Sequence, residues 1–230
     1  RSLVGGDGET HQGVFDLAFL RSIPNMVLMA PKDENEFRHM LKTAVEYWEG
    51  PIAVRYPRGS GLGVPLDAEL QTLPIGKGEL LRPGKDVVLV AIGTMVNLAC
   101  RAAEKLEALG IRAAVINARF AKPLDRDLIL EQALATGHLV TLEEGVVAGG
   151  FGSAVLEMLA AAEVLPQVRV ACLGLGDEFI PHGEPDYFLA RAGLSVAGVV
   201  SRVRRLLKPD GVSAEKMTPQ ALAGQSGGEV

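Results

Sequence analysis

Between residues 86 and 207, short runs of Val, Ile, Leu and Ala alternate four times with amphipathic stretches. "DVVLVAIGT" leads to a predicted helix at 95–109, "AAVINA" to one at 125–135, "HLVTLEE" to one at 151–163, and "VRVACLG" to a last helix ending at Leu207. Near-continuous apolar strands with short connections read as strands buried on both faces, which a parallel sheet flanked by helices provides. Right-handed crossovers are then nearly forced.

The first 75 residues carry the same alternation less cleanly. Val14, Leu17, Leu20 and Ile23 stand at helical spacing before Pro24, and "NMVLMAP" reads as a short buried strand. In "DENEFRHMLKTAVEYW", Asp33 and Glu36 form a capping box, and an apolar stripe runs Phe37, Leu41, Ala44, Trp48. "PIAVRYPRG" is a strand that stops at Pro57, and the Gly- and Pro-rich stretch after it reads as a linker. The expectation is an α/β chain of two open, mostly parallel twisted sheets with helices on both faces. Its units are 1–75, 76–208 and a disordered tail at 209–230. "RSLVGG" reads as a strand end without its partners, so the chain is expected to be a fragment whose first domain begins upstream of Arg1.

Composition removes several function classes. With 230 residues, 48% hydrophobic and 22% charged, the chain can bury a sizeable core. No apolar run approaches the roughly twenty residues that span a bilayer. A net charge of −5, with "SRVRRLLK" the one dense basic cluster, makes a poor case for nucleic acid. Those arginines read as a solvated helix face. Cys100 and Cys172, far apart in apolar surroundings, suit buried free thiols in a reducing cytoplasm better than a disulfide or a zinc site.

Two stretches carry chemistry. "GGDGETHQG" at 5–13 places Asp7 and His11 in a glycine-dense turn just ahead of a helix. Ligands of open α/β sheets gather where such loops meet helix N-termini, glycines let backbone approach a ligand, and histidine exchanges protons near neutral pH. The same two residues also suit capping the helix and satisfying loop carbonyls, and spacing does not separate the two roles. In "VRYPRG", Arg55 and Arg58 straddle Pro57 at a strand end, where a guanidinium suits bidentate capture of phosphate or carboxylate; a surface ion pair is the plainer alternative. Strand alternation would send Arg55 and Arg58 to opposite faces.

The strings "GGDGETHQGVFDLAFLRSIPNMVLMAPKDENEFRHML" and "GPIAVRYPRG" resemble the latter part of the pyrimidine-binding domain of the 1-deoxy-D-xylulose-5-phosphate synthase family, thiamine diphosphate enzymes of the transketolase superfamily. "LVTLEEGVVAGGFGSAVLEML" and "FIPHG" resemble that family's C-terminal domain. The resemblance implies condensation of pyruvate with D-glyceraldehyde 3-phosphate with loss of CO2. It also implies thiamine diphosphate and Mg2+ held by a missing N-terminal portion, and a homodimer in the cytoplasm. It makes His11 the acid–base group, with Asp7 hydrogen-bonding in the same site and Arg58 holding the substrate phosphate. The family's arginine ahead of the "VG" has no counterpart at the same spacing, since Arg1 stands one residue short. Glu143 and Glu144 read as structural or interface residues, and "GGFG" as close helix packing rather than a phosphate cradle. His182 reads as a surface or dimer-contact residue, and His39 and His138 as surface or cap residues. Two other readings stand beside this one. One is the beta subunit of a 2-oxo acid dehydrogenase, against which "THQG" with "RYPRG" argues. The other is a non-catalytic association module.

Overall fold

The alternation within one strand decides how the larger sheet is covered. In a computed structural model that describes residues 2–208, Val87, Leu89 and Ala91 face one apolar core and Val88 and Val90 the other. This follows from the two-residue period of a strand. The strand is β4 (Val87–Ala91), and it lies at the centre of a five-stranded sheet. The elements before it are α1 (Asp16–Arg21), β1 (Val27–Met29), α2 (Glu34–Glu46), β2 (Ile52–Val54) and β3 (Glu79–Arg82). After it come α3 (Met95–Glu107), β5 (Ala113–Asn117), β6 (Phe120–Lys122), α4 (Arg126–Thr136) and β7 (His138–Val146). Then follow α5 (Phe151–Ala161), β8 (Arg169–Leu175), α6 (Pro185–Arg191) and α7 (Val196–Leu206).

The large sheet runs β3-β5-β4-β7-β8, with β5, β4, β7 and β8 mutually parallel. Helices α3 and α7 cover one face and α4 and α5 the other, each through residues at helical spacing such as Ala99, Ala103 and Leu106 or Phe151, Val155 and Leu159. The small sheet runs β2-β1-β6, β1 pairing parallel with β2. Four of the six pairings are parallel, as expected. The two antiparallel strands, β3 and β6, were not legible in the sequence. Three or four residues leave too short a pattern to register, and each sits at an edge and carries charged residues, Lys122 in "FAK" and Glu79 and Arg82 in "ELLR".

Strand β6 belongs in sequence to the second unit but pairs with β1 of the first. The two halves also share cores, since Leu3 and Val14 pack with the α3 side and Leu17, Leu28 and Ala30 with the α4–α5 side. Residues 59–78 form no helix or strand, yet α2 binds them tightly. The Glu34 carboxylate accepts from the amides of Leu62, Gly63 and Val64, Asn35 holds Asp67, and Thr43 Oγ1 accepts from Leu73 N.

Four local expectations change. Residues 2–4 form no regular strand, so the strand end read into "RSLVGG" is not there among the described residues. The buried side of α2 is not the stripe Phe37, Leu41, Ala44, Trp48; it is Glu36, His39, Met40 and Thr43, and Trp48 is 90% exposed. Polar residues can occupy that side because each finds partners. Glu36 accepts from Lys32 N, Asn117 Nδ2 and Arg119 Nε, and its carboxylate therefore reaches Lys32 rather than the Asp33 amide of a capping box. His39 is accordingly no surface residue: Nδ1 accepts from Gln71 N at 2.9 Å and Nε2 faces Asp67 Oδ2 at 2.9 Å. A backbone amide can only donate, so the ring proton sits on Nε2. The tail 209–230 and Arg1 lie outside the described residues.

Candidate active site

Two consecutive 3-10 turns, Gly5–Asp7 and Glu9–His11, build the "GGDGETHQG" segment, with Gly8 between them at φ 77°. A left-handed residue is required where one turn ends and the next begins, and a side chain there is strained. The pitch of each turn is held by Asp7 N bonding Val4 O and His11 N bonding Gly8 O. Asp7 is half-buried and His11 is exposed, its Nδ1 3.1 Å from Thr10 Oγ1.

The structure brings Arg58 to this turn. Its Nη1 pairs with Asp7 Oδ2, joining the end of the β2 segment to the glycine turn. His11 stands one 3-10 turn beyond Asp7 in the same loop. Arg55 departs on the other side of the strand, as alternation requires. It is buried, donating from Nη2 to Glu144 O at 2.6 Å with Nη1 3.9 Å from Glu144 Oε2. Burial pushes this guanidinium down from its ordinary range, with Glu144 opposing. The two arginines of "RYPRG" thus divide, one exposed at the candidate site and one inside the protein.

The chain order predicts a second ligand crevice, and the chain itself fills it. From β4 the connections lead to β5 on one side and later to β7 on the other, so the switch point lies beyond the carboxyl ends of β4 and β7. There Glu144 accepts from Leu3 N (3.0 Å), Thr94 Oγ1 (2.6 Å) and Arg55, while Val146 N bonds Val14 O. The crevice is where the first unit docks. Its neighbour Glu143 accepts from Phe151 N (2.8 Å) and Gly152 N (2.7 Å), so the free amides of the α5 N-terminus already hold a carboxylate. "GGFG" is accordingly not an open phosphate cradle. A Cβ on Gly152 would stand 2.7 Å from Thr141 Oγ1, which shows the close packing that the glycine serves. Burial pushes the Glu143 carboxyl up to about 7, against the two amides, Arg55 and Arg21.

His138 caps its own strand start, Nδ1 lying 3.0 Å from Thr136 O. Cys100 and Cys172 are free thiols, half-buried and pushed up chiefly by burial. Among the described residues no group of three or more His, Cys, Asp or Glu is arranged to hold a metal ion. None of their helices is long and apolar enough to cross a membrane.

Residues 76–199 match the family model "Transketolase, C-terminal domain", and residues 1–62 match "Transketolase, pyrimidine binding domain". The chain belongs to the transketolase family. Within that family it is 58% identical over 220 residues to the 1-deoxy-D-xylulose-5-phosphate synthase of Heliobacterium modesticaldum, covering 95% of this chain and 34% of that one. It is 61% identical over 198 residues to the synthase of Desulforudis audaxviator, covering 86% and 31%. Among solved structures, a split-gene transketolase described as an inactive beta4 tetramer superposes with a TM-score of 0.78 at 39% identity, covering 88% of this chain and 65% of that one. The chain spans about a third of the length of these synthases.

Proposed function

We propose that this chain supplies the acid–base and phosphate-binding side of a 1-deoxy-D-xylulose-5-phosphate synthase, which joins pyruvate to D-glyceraldehyde 3-phosphate with loss of CO2. The observation that carries the reading is the meeting of Arg58 and Asp7, from separate segments, on the turn that bears His11.

The residues present fit a place beside thiamine diphosphate's reacting atoms and not the holding of its diphosphate. They offer a proton carrier, a carboxylate and one exposed guanidinium, while the α5 N-terminus is taken by Glu143. When bound, the cofactor supplies a nucleophilic carbon and stores the electron pair released as CO2 leaves. We assign the diphosphate and Mg2+ to another part of the polypeptide.

His11, exposed on the turn, gives a proton to the aldehyde oxygen as the new carbon–carbon bond forms. Arg58 receives the substrate phosphate, for which a planar guanidinium is suited. Before substrate arrives, Asp7 keeps that guanidinium at the turn. Both partners are partly exposed, so exchanging the carboxylate for a phosphate costs only about 0–1 kcal/mol. Asp7, released, is then free to accept a hydrogen bond from the substrate.

We further propose that the two family domains meet near residue 76, that the whole protein is a cytoplasmic homodimer, and that the isolated chain is inactive. The exposed apolar residues Leu41 and Val45 of α2, with Trp48 just beyond its end, support self-association, as does the likeness to an inactive tetramer. The test is a chimera in which this chain replaces the corresponding segment of the Heliobacterium relative. It should form 1-deoxy-D-xylulose 5-phosphate, and His11→Ala should slow turnover by roughly 10²-fold or more. An inactive chimera that folds, or near-normal turnover by the variant, refutes the assignment.

A further inference from the structure

We propose that His182 is a positioning residue that anchors the turn carrying Asp7 and His11. It stands in the loop between β8 and α6, far along the chain from the turn it touches. A Cβ on Gly8 would lie within 2.9 Å of three ring atoms, Cε1, Nε2 and Nδ1, so the imidazole lies with its face against that residue. Gly8 sits next to Asp7 and its carbonyl accepts from His11 N at 3.1 Å. The ring therefore rests on the one residue that is bonded to Asp7 and accepts from His11, and glycine is needed there for the approach as well as for φ.

The rest of the loop reinforces the contact. Gly183 N donates to Gly5 O at 3.4 Å, and a Cβ on Gly5 would stand 2.7 Å from Gly183 O. Gln12 bridges the two segments, accepting from Val4 N at 2.8 Å and donating to Ile180 O at 3.4 Å. Phe179 meets Phe15 edge-on at 5.8 Å between centroids. Ile180 is buried in the α3-side core, which gives the loop a fixed base. Two short 3-10 turns with exposed side chains have little packing of their own, so the loop from the second unit sets where they stand. Asp7 in turn holds Arg58, and displacement of the turn moves the proton carrier and the phosphate-binding group together.

The catalytic side of this inference rests on the synthase reading, but the anchoring does not, and two measurements keep them apart. In the 230-residue chain, amide hydrogen exchange over residues 5–13 should quicken about 10-fold in His182→Ala and stay near the native rate in His182→Phe, which keeps a flat face. In the chimera, His182→Ala should raise KM for glyceraldehyde 3-phosphate and lower kcat, each about 10-fold, because a misplacement of about 1 Å is costly. The pyruvate KM should hold steady and His182→Phe should restore both values. Unchanged exchange in His182→Ala, or a His182→Phe variant as impaired as His182→Ala, overturns the proposal. Quickened exchange beside an inactive native chimera leaves the anchoring in place and refutes the synthase assignment.

Discussion

Replacing Glu143 by Gln should remove a pH dependence from the stability of this chain. Glu143 has no exposed surface, and burial raises its carboxyl from an ordinary 4.5 to about 7. A carboxyl whose folded pKa is raised binds more protons in the native than in the unfolded state between those two values. Stability from this group is therefore full below about pH 4.5, falls as pH rises, and levels off above about 7. Such a shift corresponds to about 3 kcal/mol over the whole range, most of which falls between pH 5 and pH 8. The substituted glutamine cannot titrate. Its amide oxygen can still accept from one of the Phe151 and Gly152 amides while its NH2 opposes the other, an offset that does not vary with pH. Urea unfolding of both proteins at half-unit steps from pH 5 to 8, with other carboxylates common to both, isolates the difference. The native curve should drop by about 2–3 kcal/mol relative to Glu143→Gln over that span. Parallel curves would show that the two amides and Arg55 hold the carboxylate charged throughout, and the reasoning would fail.

Arg55→Met should destabilise the chain by about 3–5 kcal/mol at pH 7.5, because Glu144 loses the cation that accompanies it in the interior; a change under about 1 kcal/mol in urea unfolding would show the pair to be dispensable. His39→Leu should cost about 1–2 kcal/mol, since Gln71 N loses its acceptor and the Asp67 carboxylate keeps Asn35 but loses the imidazole. Limited proteolysis should then cut first within residues 64–73, and unchanged resistance there would contradict the view that α2 holds this stretch in place.

The difference between legible and hidden features is physical. β4 and β5 could be read because every residue of each is buried, and a strand covered on both faces is apolar along nearly its whole length. The Asp33 cap of α2 could be read because it is a bond between neighbours in sequence. The side of α2 that turns inward could not. Glu36 and His39 are buried only because Asn117, Arg119, Asp67 and Gln71 arrive from distant segments to satisfy them. Strand β6 escaped for a related reason: its partner β1 lies about ninety positions earlier in the chain.

At the candidate site the division is the same. The sequence determined which groups are available, a glycine-dense turn with a carboxylate and an imidazole and a strand ending in two arginines, since residue types and local turn chemistry need no partner. Tertiary structure alone decided that Arg58 meets Asp7, that Arg55 turns inward to Glu144, and that His182 settles on Gly8. Each of these is a contact across a long stretch of chain, and such contacts depend on how sheets and loops stack rather than on any spacing along the sequence.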